Sequence, residues 1–167
     1  FFASKGALIL PSDSLVTEDP TLLFTVAGMV PFKAYFEDRV TPPRTSIATS
    51  QKCLRTKDID DIGDISHCTF FEMLGNFSFG DYFKPEAVEW SAEFLFDVLK
   101  IDRKRIRVTI YQDDDDAYAL WKKFGMPDER ITRLGQKTNY WPSNAIVEKS
   151  QGPCGPCSEI FFDLKTH

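Results

Sequence analysis

The sequence predicts an α+β domain built on an antiparallel sheet flanked by helices. Short apolar runs bounded by proline, glycine and aspartate recur along the chain, and two longer stretches with helical spacing, 85–99 and 113–124, are inserted between them. Length sets the scale. With 167 residues, 43% hydrophobic and 14% aromatic, the chain suffices for one substantial core and is short for two comparable ones. A single partial domain over 1–167 is expected.

The elements follow in order. Phe1-Phe2-Ala3-Ser4-Lys5-Gly6 reads as the last turn of a helix closed by glycine, so chain upstream of Phe1 is expected. Residues 7–10 and 22–25 are apolar runs read as strands, stopped by Pro11-Ser12-Asp13-Ser14 and by Ala27-Gly28. Pro31 can only begin a helix, and Phe32, Tyr35 and Phe36 follow at helical spacing. Pro42-Pro43 then forces extended chain. Residues 47–54 and 69–74 read as two strands joined by an aspartate-rich loop at 57–66. Pro85 opens a helix through EAVEWSAEFLFDVLK, with Val88, Ala92, Leu95 and Leu99 on its buried face. Residues 107–111 alternate as a strand. The stretch 113–124 is a second helix, acidic at its positive end, with late lysines and Gly125 as its stop. Strands at 131–134 and 159–163 complete the list, the last opening a loop that leads towards further chain.

Charge narrows the function. The 20 basic and 25 acidic side chains give a net charge of -5, which argues against a surface built mainly for a phosphate backbone. No apolar run approaches the roughly 20 residues needed to cross a bilayer, and the first residues do not read as a signal peptide. A cytoplasmic protein without membrane contact is expected. Of Cys53, Cys68, Cys154 and Cys157, only the last two form a CxxC, so reduced structural thiols are expected and no metal site. The acidic run at 113–116 reads as dipole-stabilising and solvated.

The chemistry concentrates in the hairpin at 50–84. Arg55 stands near the end of one strand, His67 at the start of the next, and Phe71 on that second strand. A guanidinium grips phosphate bidentately, and a ring on a rigid strand stacks on a base. On the residues alone, a hairpin with a solvent-facing arginine and a core phenylalanine is the more ordinary reading.

The words SQKCLR, DIDDIG and HCTFFEMLGNFSFGDYFK resemble motif 2 of the alanyl-tRNA synthetases, and GPCGPCSEIFFD resembles a second signature of that family. DPTLLFTVAGMVPFK and TNYWPSNAI extend the likeness over essentially the whole chain. The resemblance implies the class II synthetase fold, truncated here to the N-terminal part of a catalytic domain, and a ligase that activates alanine with ATP and Mg2+ before transferring alanyl to tRNA(Ala). It implies that Arg55 binds the α-phosphate and is catalytic, that His67 approaches the outer phosphates, that Phe71 stacks on adenine, and that Glu72 and Met73 frame its edge. Trp141 would wall the alanine pocket, a core indole being its alternative. Glycine and serine would be the expected errors.

Two departures temper the match. Ser66 stands where many members carry an arginine, leaving Lys57 in the same loop to substitute. Motif 3, the second adenine wall, is expected beyond His167, with the tRNA-binding regions; GMPDER at 125–130 imitates it but sits in a helix-to-strand connection. Two alternatives stand beside the ligase: a non-catalytic nucleotide-binding or interaction module derived from a synthetase, and a zinc-stabilised module using Cys154 and Cys157. The sequence carries no signal of oligomeric state.

Overall fold

A computed structural model describes residues 1–57, 59–65, 67–149 and 152–164. It divides into two compact units, Phe1–Asp81 and Tyr82–His167.

The first unit opens with a 3-10 turn, Phe2–Lys5, closed by Gly6 in the left-handed region at φ 93°, as the glycine stop predicts. Strand β1 (Leu8–Ile9) runs parallel to β2 (Ser46–Leu54), and β2 runs antiparallel to β3 (Phe70–Ser78). The predicted hairpin strands are present, and β3 extends four residues further than its apolar run suggested. The run at 22–25 forms no strand. Thr25 donates its amide to the Leu15 carbonyl and accepts the Leu54 amide, so the segment is tied beside the end of β2 by single bonds rather than a ladder.

The helix expected at 30–36 is a 3-10 turn, Val30–Phe32, continued by α1 (Lys33–Phe36). Its spacing brings Phe32 to 4.9 Å from Phe77 and Phe36 to 4.8 Å from Phe79. Those partners alternate along β3 and just past its end, so helical and strand periodicities meet in one aromatic cluster. Gly75 is required beneath it: a Cβ there would lie 2.5 Å from the Phe77 ring.

The second unit holds a contiguous apolar core around β4 (Ile106–Tyr111). Strand β4 pairs parallel with β5 (Ile131–Leu134) and antiparallel with β8 (Ser158–Phe162), while β6 (Tyr140–Trp141) and β7 (Gly155–Pro156) form a separate antiparallel ribbon. The α+β class stands, but both three-stranded sheets are mixed rather than antiparallel throughout. Ile106, Val108 and Ile110 face inward, with Trp121 and Met126 packed against them.

Helix α2 (Lys84–Ala92) begins at Pro85 as predicted, and the Glu86 carboxylate accepts the Phe83 amide at 3.3 Å. It continues as a π-helix, Glu93–Val98, with the Leu99 amide bonded to the Phe94 carbonyl five residues back. The wider turn rotates the buried face. Val88 and Ala92 are buried as expected and Leu95 packs against the core, but Phe96 takes the place predicted for Leu99, which is 51% exposed.

Helix α3 (Asp115–Lys123) ends before Gly125 at φ 88°. The acidic run is not uniformly solvated. Asp114 is buried as the N-cap, accepting the Ala117 amide at 3.0 Å and the Lys84 ammonium at 2.7 Å. Between α3 and β5, residues 125–130 form a loop and a 3-10 turn, Asp128–Arg130, the connection expected for the false motif 3. Two short helices, α4 (Gln136–Asn139) and α5 (Ala145–Glu148), flank β6.

Candidate nucleotide site

Strand alternation sorts the candidate residues first. Along β3, Phe71, Met73, Gly75 and Phe77 are half-buried while Phe70, Glu72, Leu74 and Asn76 are exposed. Phe71 and Met73 therefore share a face, and Glu72 projects from the opposite one.

The half-buried face is covered by the segment from Thr25 to Gly28. The Gly28 amide approaches the Met73 sulfur at 3.2 Å, and a Cβ on Gly28 would meet that sulfur at 3.5 Å. Further along, the Arg55 guanidinium lies over the Phe71 ring, 5.1 Å from its centroid. Its Nε donates to the Val26 carbonyl at 3.0 Å, and its backbone amide to the Thr69 carbonyl at 2.8 Å. Arg55 is thus fixed by main chain on two sides and by an aromatic face on a third. Its terminal nitrogens have the fork geometry that phosphate oxygens match. Cys53, opposite Phe71 in the β2–β3 register, is buried; burial pushes its thiol up against the pull of the Arg55 charge.

His67 lies two residues before Thr69, in the connection leading into β3. The Asp64 carboxylate accepts its backbone amide at 2.7 Å and contacts Nδ1 at 2.5 Å, which orients the imidazole. Arg55 and Phe71 are brought together, with Met73 on the same face of β3; His67 lies in the loop that joins the two strands. Ser66 lies outside the described residues.

Trp141 belongs to the second unit and is 49% exposed, on a ribbon where it pairs with Gly155. That position disfavours a core indole. The core indole is Trp121, 2% exposed, whose Nε1 donates to the Ser158 hydroxyl at 2.9 Å. Asn139, fully buried beside Trp141, donates to the Thr109 hydroxyl at 2.9 Å and the Cys157 carbonyl at 3.0 Å, and its carbonyl accepts the Cys157 amide. It fastens the ribbon to β4. Burial, reinforced by the nearby Glu159 charge, raises the Cys157 thiol.

All four cysteines are free. Cys154 and Cys157 flank β7, and extended chain holds their Cα atoms about 10 Å apart, beyond disulfide reach. Among the described residues, no three His, Cys, Asp or Glu side chains group as a metal site. Among those residues too, no helix is long and apolar enough to cross a membrane.

Thr25, Val26 and Asn139 escaped the sequence reading. A threonine inside the apolar run LLFTV carries no periodic signal, and a main-chain carbonyl carries none at all.

The family model for class II (A) tRNA synthetases matches residues 1–167. The chain belongs to that family. It is 54% identical over 166 residues to an alanine–tRNA ligase of Acetivibrio thermocellus, and 55% identical over 167 residues to one of Carboxydothermus hydrogenoformans. A Thermus thermophilus alanine–tRNA ligase is 54% identical over 170 residues. Each match covers 98% of this chain, which spans only 18% to 19% of the relatives' length.

Proposed function

We propose that this segment supplies the nucleotide-gripping wall of an alanine–tRNA ligase. The observation that carries the reading is Arg55, held by the Val26 carbonyl and set over Phe71 at the end of a rigid hairpin. Family membership and the names of its relatives support the same assignment.

In this reading an alanine carboxylate oxygen attacks the α-phosphorus of ATP. The bond from that phosphorus to the bridging oxygen breaks, and pyrophosphate leaves. Charge builds on the α-phosphate oxygens, where the pre-positioned Arg55 donates without reorganising. His67 meets the outer phosphates, Phe71 stacks on adenine with the face that Arg55 leaves open, and Met73 borders the base. Glu72, on the far face of β3, acts through main-chain groups alone. Trp141 walls the alanine side chain, and alanyl then passes to tRNA(Ala), held largely by other regions. Mg2+ would accompany the ATP phosphates; among the described residues no three His, Cys, Asp or Glu side chains group to hold it. Four free thiols suit a reducing, cytoplasmic setting.

The test is alanine-dependent ATP–pyrophosphate exchange by the full-length protein that carries this segment. Arg55→Ala is expected to lower kcat/KM for ATP by roughly 100-fold or more. Exchange that ignores alanine, or an Arg55→Ala variant with normal turnover, would overturn the assignment.

A further inference from the structure

We infer that Thr25 is a positioning residue for Arg55, acting through the Val26 carbonyl; the inference rests on the nucleotide reading above. Thr25 is a polar residue only 1% exposed, with every polar group engaged. Its hydroxyl donates to the Ser14 carbonyl at 2.8 Å, its amide to the Leu15 carbonyl at 2.8 Å, and its carbonyl accepts the Leu54 amide at 2.9 Å. The next carbonyl along, that of Val26, receives Arg55 Nε at 3.0 Å.

The connectivity matters more than any one bond. Two of the Thr25 bonds reach back to residues 14–15 and the third reaches across to the last residue of β2, immediately before Arg55. Thr25 is therefore anchored from both sides, its own carbonyl held by the Leu54 amide, and the next peptide group along presents the only carbonyl to which Arg55 Nε is bonded among the described residues. With Nε committed to Val26 and the guanidinium lying over Phe71, rotation about the last side-chain bonds is restricted. The two terminal nitrogens are left to face a phosphate in one orientation. A guanidinium fixed this way grips phosphate without first losing rotamer freedom, which is where preorganisation gains its effect.

Buried threonine is not needed here for packing. Valine has the same shape, and an apolar residue would suit a run reading LLFTV. The hydroxyl is what distinguishes the residue, and its partner, the Ser14 carbonyl, belongs to a loop with no ladder to hold it.

The test compares Thr25→Val, which keeps shape and deletes the hydroxyl, with Thr25→Ser, which keeps the hydroxyl, in the full-length protein. Thr25→Val should lower kcat/KM for ATP in the exchange assay by roughly tenfold, leaving KM for alanine within about twofold, and Thr25→Ser should restore most of the loss. A cycle with Arg55→Lys separates positioning from general damage. If Thr25 acts through Arg55, adding Thr25→Val to Arg55→Lys costs little more than Arg55→Lys alone. Full additivity, an equal rise in KM for alanine, or a Thr25→Val enzyme with normal ATP kinetics would overturn the inference. Absence of exchange in the unsubstituted protein would overturn the nucleotide reading itself, and the inference with it.

Discussion

The two units solve the problem of burial differently. In Tyr82–His167 a contiguous apolar core predominates over the buried polar Asp114 and Asn139: Ile106, Val108 and Ile110 on β4 meet Val88, Ala92 and Phe96 from one helix and Trp121 from another. In Phe1–Asp81, among the described residues, the buried apolar Phe32, Ile47, Ala48 and Cys53 share the interior with the buried polar Thr25, Ser46, Thr49 and Gln51. Close packing stabilises without direction, whereas hydrogen bonds fix orientation. The unit that places a guanidinium uses bonds, and the unit with the larger core uses packing.

The sharpest break of this contrast is Trp121→Ala. Removing a buried indole leaves both a cavity and a Ser158 hydroxyl without its donor, so a loss of about 3–5 kcal/mol is expected. All three tryptophans lie in the second unit, so urea unfolding should be followed by far-ultraviolet circular dichroism beside emission. A loss under about 1 kcal/mol would mean the core is not the stabilising element that its burial implies.

Gln51→Leu is the counterpart in the first unit. Gln51 accepts the Asp13 amide at 2.9 Å and donates to the Asp13 carbonyl at 3.1 Å, a reciprocal pair that substitutes for a strand ladder. Leucine fills similar space but leaves both backbone groups unmatched, for an expected loss of about 1–3 kcal/mol. Amide exchange at Asp13 should accelerate. Unchanged protection there would show the loop to be held by other means.

How much of this was legible beforehand follows from the same physics. Elements specified by local rules came through: the glycine stops at Gly6 and Gly125, proline-initiated α2, and the strands of the motif 2 hairpin. The π-turn that exchanges Leu99 for Phe96 did not, because helical spacing assumes one pitch throughout. Nor did the parallel pairing of β1 with β2 and β4 with β5, since a short apolar run does not say which way its neighbour runs. Family words single out Arg55, His67 and Phe71 in the first unit and Trp141 in the second as candidates. Their supports, Val26, Asp64 and Thr25, act through main chain or through distant partners and leave no local pattern.

Acid should act on both units, with Asp19 a sensitive carboxylate in the first and Asp114 in the second. Burial pushes the Asp114 carboxyl up, but bonds from Lys84 and the Ala117 amide, with the Lys84 and Arg133 charges, outweigh it and hold it below its ordinary 3.8. Asp19 is lowered to about 2 by the Thr21 hydroxyl and amide and by Lys33. A lowered carboxyl stabilises the fold above its unfolded value and loses that contribution as pH falls through the folded one. The Asp19 contribution should therefore disappear between about pH 4 and pH 2. For Asp114→Asn, the deficit against the unsubstituted protein is expected at about 1–2 kcal/mol at pH 7 and should shrink in acid. A deficit constant with pH would rule out the charge-dependent part of the cap.

The smallest effect is expected at Glu72, and it divides the two faces of β3. Its carboxylate is exposed, opposite Lys52 in the register, while Phe71 and Met73 turn to the covered face. Glu72→Gln removes one exposed charge, a change worth less than about 0.5 kcal/mol in stability. It should shift kcat/KM for ATP by less than twofold, because the proposed contacts of residue 72 run through its backbone. Phe71→Leu, one residue away, should reduce it roughly tenfold by removing a base-stacking ring worth about 1–3 kcal/mol. If Glu72→Gln instead matched Phe71→Leu, the nucleotide would have to contact the exposed face of the hairpin. Arg55, tied to Val26 on the covered face, would then be gripping something else.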